Sequence, residues 1–197
     1  MPPISHFAAM MQSGEVLIEQ HDNYVKQTYR NRCAIAGPNG VQTLTVPVEK
    51  PEGHKCLMKD LRISDHGNWR HLHWNALESS YGKSPFFEYY ADDLRPFYDE
   101  RRWTYLFDYN MELTETLLRL LDIDNVKLQP TDHYMQADLH QWAEPSAQKD
   151  LPHRPYYQVF AQKHGFIPNL SIADLLFNMG PEAVLELSKG SERSERS

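Results

Sequence analysis

The segment Asn23–Val48, NYVKQTYRNRCAIAGPNGVQTLTVPV, decides how the chain is read. Its centre, Gly37-Pro38-Asn39-Gly40, carries an Asn-Gly turn signal between two strand-like runs. In the returning run Leu44, Val46 and Val48 alternate with Thr43 and Thr45, the period of a half-buried strand. A β-hairpin over about residues 26–48 follows. The outgoing run spends its positions differently, with Lys26, Gln27, Arg30, Asn31 and Arg32 crowded together. If that run is extended, Arg30 and Arg32 share one face while Tyr29 and Asn31 take the other. Two forked guanidiniums side by side suit a phosphate or carboxylate, which they can grip bidentately. Gln27 and Asn31 add neutral donors. The same charges would also discourage pairing at a solvated sheet edge.

Outward from the hairpin, Ile4–Gln12 reads as a short helix with Phe7, Met10 and Met11 inward, and Val16–Glu19 as a buried strand. Leu61–Ser64 is a candidate third strand. Asn68–Tyr81 is the clearest helix, with Trp69, His73, Ala76 or Leu77, and Ser80 on one stripe and Gly82 at its end. Helical segments follow over Phe86–Tyr90 and Asp92–Arg101, the latter broken at Pro96. Asn110–Leu121 is amphipathic, and Asp122–Leu128 turns into a brief strand. Thr131–Pro155 has little periodicity and reads as a long loop laid over one edge. A strand or helix start at Tyr156–Phe160 precedes Gly165. Ser171 and Asp174 form a capping box for a helix ending near Gly180, and a last short helix covers Glu182–Leu187. The fold expected is α/β: a small mixed sheet containing the hairpin, packed against helices, with α+β as the fallback. Residues 1–188 form a single domain and 189–197 (KGSERSERS from Lys189) a disordered charged tail.

At 197 residues with 41% hydrophobic content, the chain is long enough for one real core. A net charge of −7 speaks against nucleic acid as a partner. Against that acidic background the arginine cluster favours an anionic small molecule. Cys33 and Cys56 suggest no disulfide framework. The opening Met1-Pro2-Pro3-Ile4 has no secretory pattern, and no run is long enough to insert in a membrane. A cytoplasmic protein is expected.

Ten histidines raise the question of a metal, but His71 and His73 face apart on a helix, and no HExxH or Cys/His pair is present. His133, His140 and His153 are unpatterned, so no metal site is assigned. His73 shares a face with Trp69; a half-buried imidazole near its ordinary pKa is the usual general base, although an inner-face histidine is also an ordinary core residue. No GxSxG, Walker or GxGxxG motif occurs, and no cofactor is named. Asn169 and Ser171 place polar groups at a helix N-terminus, where free N–H groups attract anions; Asp174 would cap the same groups.

Three blocks, Tyr24–Pro47, Arg62–Phe87 (RISDHGNWRHLHWNALESSYGKSPFF) and Tyr156–Gly180, together with the opening Pro2–Phe7, resemble the signature blocks of the WbqC-like proteins. The resemblance runs over about residues 2–185. It implies bacterial surface-polysaccharide (O-antigen) biosynthesis, with transfer of a glycyl or other acyl group to a nucleotide-linked amino sugar. The alternative is a non-catalytic binding or accessory protein of that pathway, with pathway proteins as partners. The family positions that carry over are Lys26, Tyr29, Asn31, Arg32, Trp69, His73, Pro85, Phe87, Gln158, Asn169, Ser171 and Asp174. The expected site therefore comprises His73 as catalytic base, with Lys26, Tyr29, Arg30, Asn31, Arg32, Trp69, Gln158, Asn169 and Ser171 binding a nucleotide sugar. Family members carry an apolar strand and a tyrosine before the Pro-Pro-Ile. Without that strand, sheet edge and core would be exposed.

Overall fold

The computed structural model describes residues 1–50, 55–135 and 154–189. Within them the elements run α1 (Ile4–Ser13), β1 (Glu15–Ile18), β2 (Arg32–Gly37), β3 (Gly40–Thr45), α2 (Trp69–Tyr81), α3 (Phe87–Leu94), α4 (Pro96–Asp99), α5 (Leu106–Leu120), β4 (Lys127–Pro130), α6 (Ala161–His164), α7 (Ile172–Met179) and α8 (Ala183–Lys189). The fold is mixed α/β, as the alternation of elements in the first eighty residues predicts. Two small sheets share the work: β1 pairs parallel with β4, and β2 pairs antiparallel with β3.

The hairpin closes where the turn residues place it. Gly37 pairs with Gly40, and Gly40 takes φ +108°, a conformation open to glycine. Lys163 Nζ and His164 Nε2 of α6 both lie within hydrogen-bonding distance of the Pro38 carbonyl, fastening the turn. The outgoing strand begins later than its polar alternation suggests. Pairing starts at Arg32, and residues 26–31 form consecutive turns, with Gln27 at φ +68°. Polar residues alternate as readily in turns as in strands, so the sequence pattern could not separate them.

The candidate strand at Leu61–Ser64 is an irregular crosspiece. Ser64 N–H donates to the Pro47 carbonyl and Ile63 N–H to Thr104, so the segment bonds on both flanks through single bridges. Helix α5 begins one turn before Asn110, because Leu106, Phe107 and Tyr109 extend its buried face. The charged tail from residue 190 and most of the loop between Thr131 and Pro155 lie outside the described residues.

The core holds a continuous chain of ring contacts. It passes from Phe97 through Trp103, Tyr109, Trp69, His73, Tyr98, Trp74, Phe87 and Phe177 to Tyr81, with neighbouring centroids 4.8–6.3 Å apart. Such pairs, edge-on or tilted apart from the stacked Phe97 and Trp103, each add about 0.5–1.5 kcal/mol beyond simple burial. The chain ties α2, α3, α4, α5 and α7 into one packed unit. Helix α1 docks on it through its N-terminus: Ile4 N–H donates to the Leu170 carbonyl (3.0 Å) and Ser5 N–H to Asn169 Oδ1 (3.0 Å). Those N–H groups have no partner within a helix, and residues 169–170 supply one.

Candidate functional site

Between α1, β1 and α5 lies a trough of about 470 Å³, within the range of small-molecule sites. Met1, Met10, Met58 and Met111 join Val16, Leu17, Ile18 and Phe107 in an apolar wall. Methionine suits such a wall because its unbranched thioether adapts to shape. The polar residues along the trough are His6, Ser13, Glu15, Glu19, Tyr29, Arg30, Asn110 and Thr114. Tyr29 meets the His6 ring edge-on at 5.7 Å, and burial raises its phenol pKa. Glu19 is held in place by the N–H groups of Met135 (2.8 Å) and His21 (2.6 Å). Burial pushes its carboxyl upward, but those bonds and the Thr131 hydroxyl outweigh it, and the net shift is downward.

Two of the candidate binding residues, Tyr29 and Arg30, reach this trough. The Arg30 guanidinium is already engaged, by the Asp22 carboxylate and the Asn23 carbonyl, and its own carbonyl accepts from Asn110 Nδ2 (2.7 Å). Arg32 begins β2 opposite Thr45, so the structure does not bring the two guanidiniums together in one cavity. Asn31 is buried and donates to the Val46 carbonyl (3.0 Å), while Lys26 is exposed on the preceding turn.

The remaining candidates stand elsewhere. Trp69 lines a second, polar cleft at the start of α2 and donates its indole N–H to the Ser64 carbonyl (2.9 Å). Gln158 is buried against Asp174, donating to its Oδ2 (2.9 Å) and accepting from the Ile167 N–H (2.9 Å). Ser171 is the N-cap of α7, its hydroxyl accepting from the Ala173 N–H (3.4 Å). Asp174 does not complete the capping box. Its carboxylate is fully buried and takes donors from Tyr81, Tyr156 and Gln158, so tertiary partners replace the local cap. Burial raises its pKa, and the three donors oppose that rise.

His73 is buried rather than half-buried, at 8% exposure between the rings of Trp69 and Tyr98. Burial drives its pKa down to about 4, against a small opposing contribution from the Thr45 backbone. It lines neither the trough nor the cleft. The depressed value has a consequence for stability. Between pH 6.5 and 4 the unfolded chain binds a proton at this site that the folded chain refuses. Stability therefore rises with pH through this window and is lost as pH falls. The loss by pH 4 should reach about 3 kcal/mol. Urea unfolding at pH 7 and pH 4.5 should show it, and His73→Gln should flatten the slope.

Sequence reasoning passed over His6, Glu19 and Asn110. Each is unremarkable in its own segment, and they meet only because α1, β1 and α5 converge. Among the described residues, no group of three or more His, Cys, Asp or Glu side chains could hold a metal ion, and no helix is long and apolar enough to cross a membrane.

The model of the WbqC-like protein family matches residues 1–151. The chain belongs to this family. The chain is also similar to the uncharacterized protein Rv1507c of Mycobacterium tuberculosis strain H37Rv, 31% identical over 199 residues that cover 86% of this chain and 85% of the relative. No solved structure matches. The family match includes the residues of the trough, since all of those named above lie before residue 151.

Proposed function

We propose that this WbqC-like protein is a transferase of bacterial surface-polysaccharide synthesis that acylates the amine of a nucleotide-linked amino sugar in the trough. The observation that carries this reading is the meeting of an imidazole, His6, with the Tyr29 phenol and the Arg30 segment at one apolar-walled cavity. The donor taken here is an acyl thioester carrying a glycyl or other small acyl group, whose thiolate is a competent leaving group. The amine nitrogen attacks the thioester carbonyl, the new C–N bond forms, and the C–S bond breaks to release thiolate. The His6 imidazole takes the proton lost by nitrogen and returns it to the thiolate. General-base assistance of this kind contributes roughly 10²–10⁴-fold.

His6 takes the role first given to His73 because it lines the trough, whereas His73 is packed among core rings. A second reading is favoured by Arg30, whose guanidinium is already neutralised by Asp22. In that reading the trough binds a pathway ligand without reaction.

The test is a panel of nucleotide amino sugars offered with acyl thioesters, followed by mass spectrometry of the sugar. One amino sugar should gain an acyl mass, and His6→Gln should slow this at least 100-fold. The same sugar should raise the melting temperature of the free protein. Binding without acylation would select the accessory reading; neither binding nor acylation would remove both.

A further inference from the structure

The second cleft, of about 320 Å³ between the start of α2 and α4, has a composition unlike the trough and no part in the proposed transfer. Its floor is made by Arg70 and Trp74, both more than nine-tenths buried. Each has an N–H group, Arg70 Nε and Trp74 Nε1, that is buried and finds no acceptor among the described residues. Buried donors nearly always have partners, and an unpaired one costs about 1–3 kcal/mol. Two such donors from side chains lining the same cleft point to an acceptor supplied from outside.

The ion pairing around the cleft is unequal. Asp65 is the carboxylate partner of both Arg70 and Arg101, the latter at 3.4 Å. Arg95 is matched by its own partner, Asp99, at 2.8 Å. Glu78 also lines the cleft but makes no ion pair there among the described residues. The buried Arg70 guanidinium is fixed, its side chain 8% exposed and lying 4.5 Å over the Trp69 ring. Asp65 is half exposed, at 52%, and can swing into water. A fixed, buried cation covered by a mobile carboxylate is a site whose counter-ion can be exchanged. Helix α2 adds to this, since its N-cap residue Asn68 makes no side-chain cap and its first turn carries no acidic residue.

We infer that this cleft binds a compact oxyanion, which displaces Asp65 from Arg70 and Arg101 and accepts from the unpartnered N–H groups of Arg70 and Trp74. A phosphate group and a small carboxylate share this chemistry, both able to take a guanidinium bidentately. Asp65 then acts as an internal competitor, holding the site closed when no ligand is present.

The test uses the full chain at low ionic strength, titrated with inorganic phosphate and, separately, with sodium acetate. The indole N–H resonance of Trp74 and tryptophan fluorescence report the cleft directly. At least one anion should produce a saturable change. Asp65→Asn, which removes the competitor, should tighten that binding about tenfold, and Arg101→Gln should weaken it about tenfold. Arg101 is 69% exposed, so its change leaves the fold intact; Asp65→Asn takes the counter-ion from the buried Arg70, so a cooperative thermal melt of that variant accompanies its titration. Phosphate alone responding identifies a phosphate site; acetate responding as well identifies a general carboxylate or phosphate site. No saturable response in either the parent or Asp65→Asn, or weaker binding in Asp65→Asn, would overturn the inference.

Discussion

Asp174→Asn should destabilise the protein by about 2–3 kcal/mol, read as a fall in the urea midpoint at unchanged slope. The reason lies in the direction of its hydrogen bonds. Tyr81 Oη donates to Oδ1 at 2.8 Å, and Tyr156 Oη and Gln158 Nε2 both donate to Oδ2. Every contact is a donor; a carboxylate accepts on both oxygens, whereas an amide keeps only one. Whichever way the new amide is turned, its NH₂ group faces at least one N–H or O–H. No water reaches the site to relieve it, because Asp174 is fully buried. The damage should spread beyond α7, since Tyr81 Oη also accepts from the Ala36 N–H of β2 (3.2 Å). Tyr156→Phe removes one donor and leaves the others, so it should cost about 1 kcal/mol. That contrast separates a misdirected donor from a merely missing bond.

Gly180→Ala should cost on the order of 4 kcal/mol for two reasons that add. Gly180 stands at φ +55° and ψ −129°, a conformation that side chains avoid, worth about 1–3 kcal/mol of strain. A Cβ placed there would also lie 2.5 Å from Cδ1 of the Phe86 ring. That ring is held in turn, because the Phe86 N–H donates to the Phe177 carbonyl (3.0 Å) and fixes its backbone beside α7. Overpacking of this kind adds a further 1–3 kcal/mol. Gly67 offers the control: its φ is +76°, but a Cβ there meets nothing within 4 Å. Gly67 lies at ψ 14°, the milder left-handed region, so Gly67→Ala should show a backbone cost alone and a smaller one. Equal melting temperatures for the two variants would refute the contribution of the Phe86 contact.

What the sequence made legible was local. The hairpin turn, the Trp69–Ser80 stripe of α2 and the Ser171 cap each depend on residues within a few positions of one another, and periodicity or turn chemistry reports them. The polar run before Arg32 misled because alternation identifies facing only once the chain is known to be extended. The partners of Asp174 were hidden for a different reason: its role as a local cap was chemically satisfactory, and only the approach of Tyr81, 93 residues away, offers something better. The trough shows the same limit. Of the candidate residues, Tyr29 and Arg30 reach it, while His6 and Asn110 come from helices whose meeting no spacing rule records. The cleft at α2 lies within the Arg62–Phe87 block, but Arg70 and Trp74 look like ordinary members of an amphipathic helix, and nothing local marks them as lining a site.

The docking of α1 on residues 169–170 also dictates an order of events during synthesis. Ile4 and Ser5 cannot find their acceptors until Leu170 and Asn169 have been made, some 165 residues later. At about 5–20 residues per second, the nascent chain spends roughly 8–33 seconds with that end unanchored. The β2–β3 hairpin, whose strands are two residues apart, can close long before. The β1 strand must wait as well, for Lys127 and its neighbours to emerge. During that interval Phe7, fully buried in the finished fold, lacks the C-terminal helices that α1 packs against. Holding chaperones should therefore engage the α1–β1 segment early and release it late.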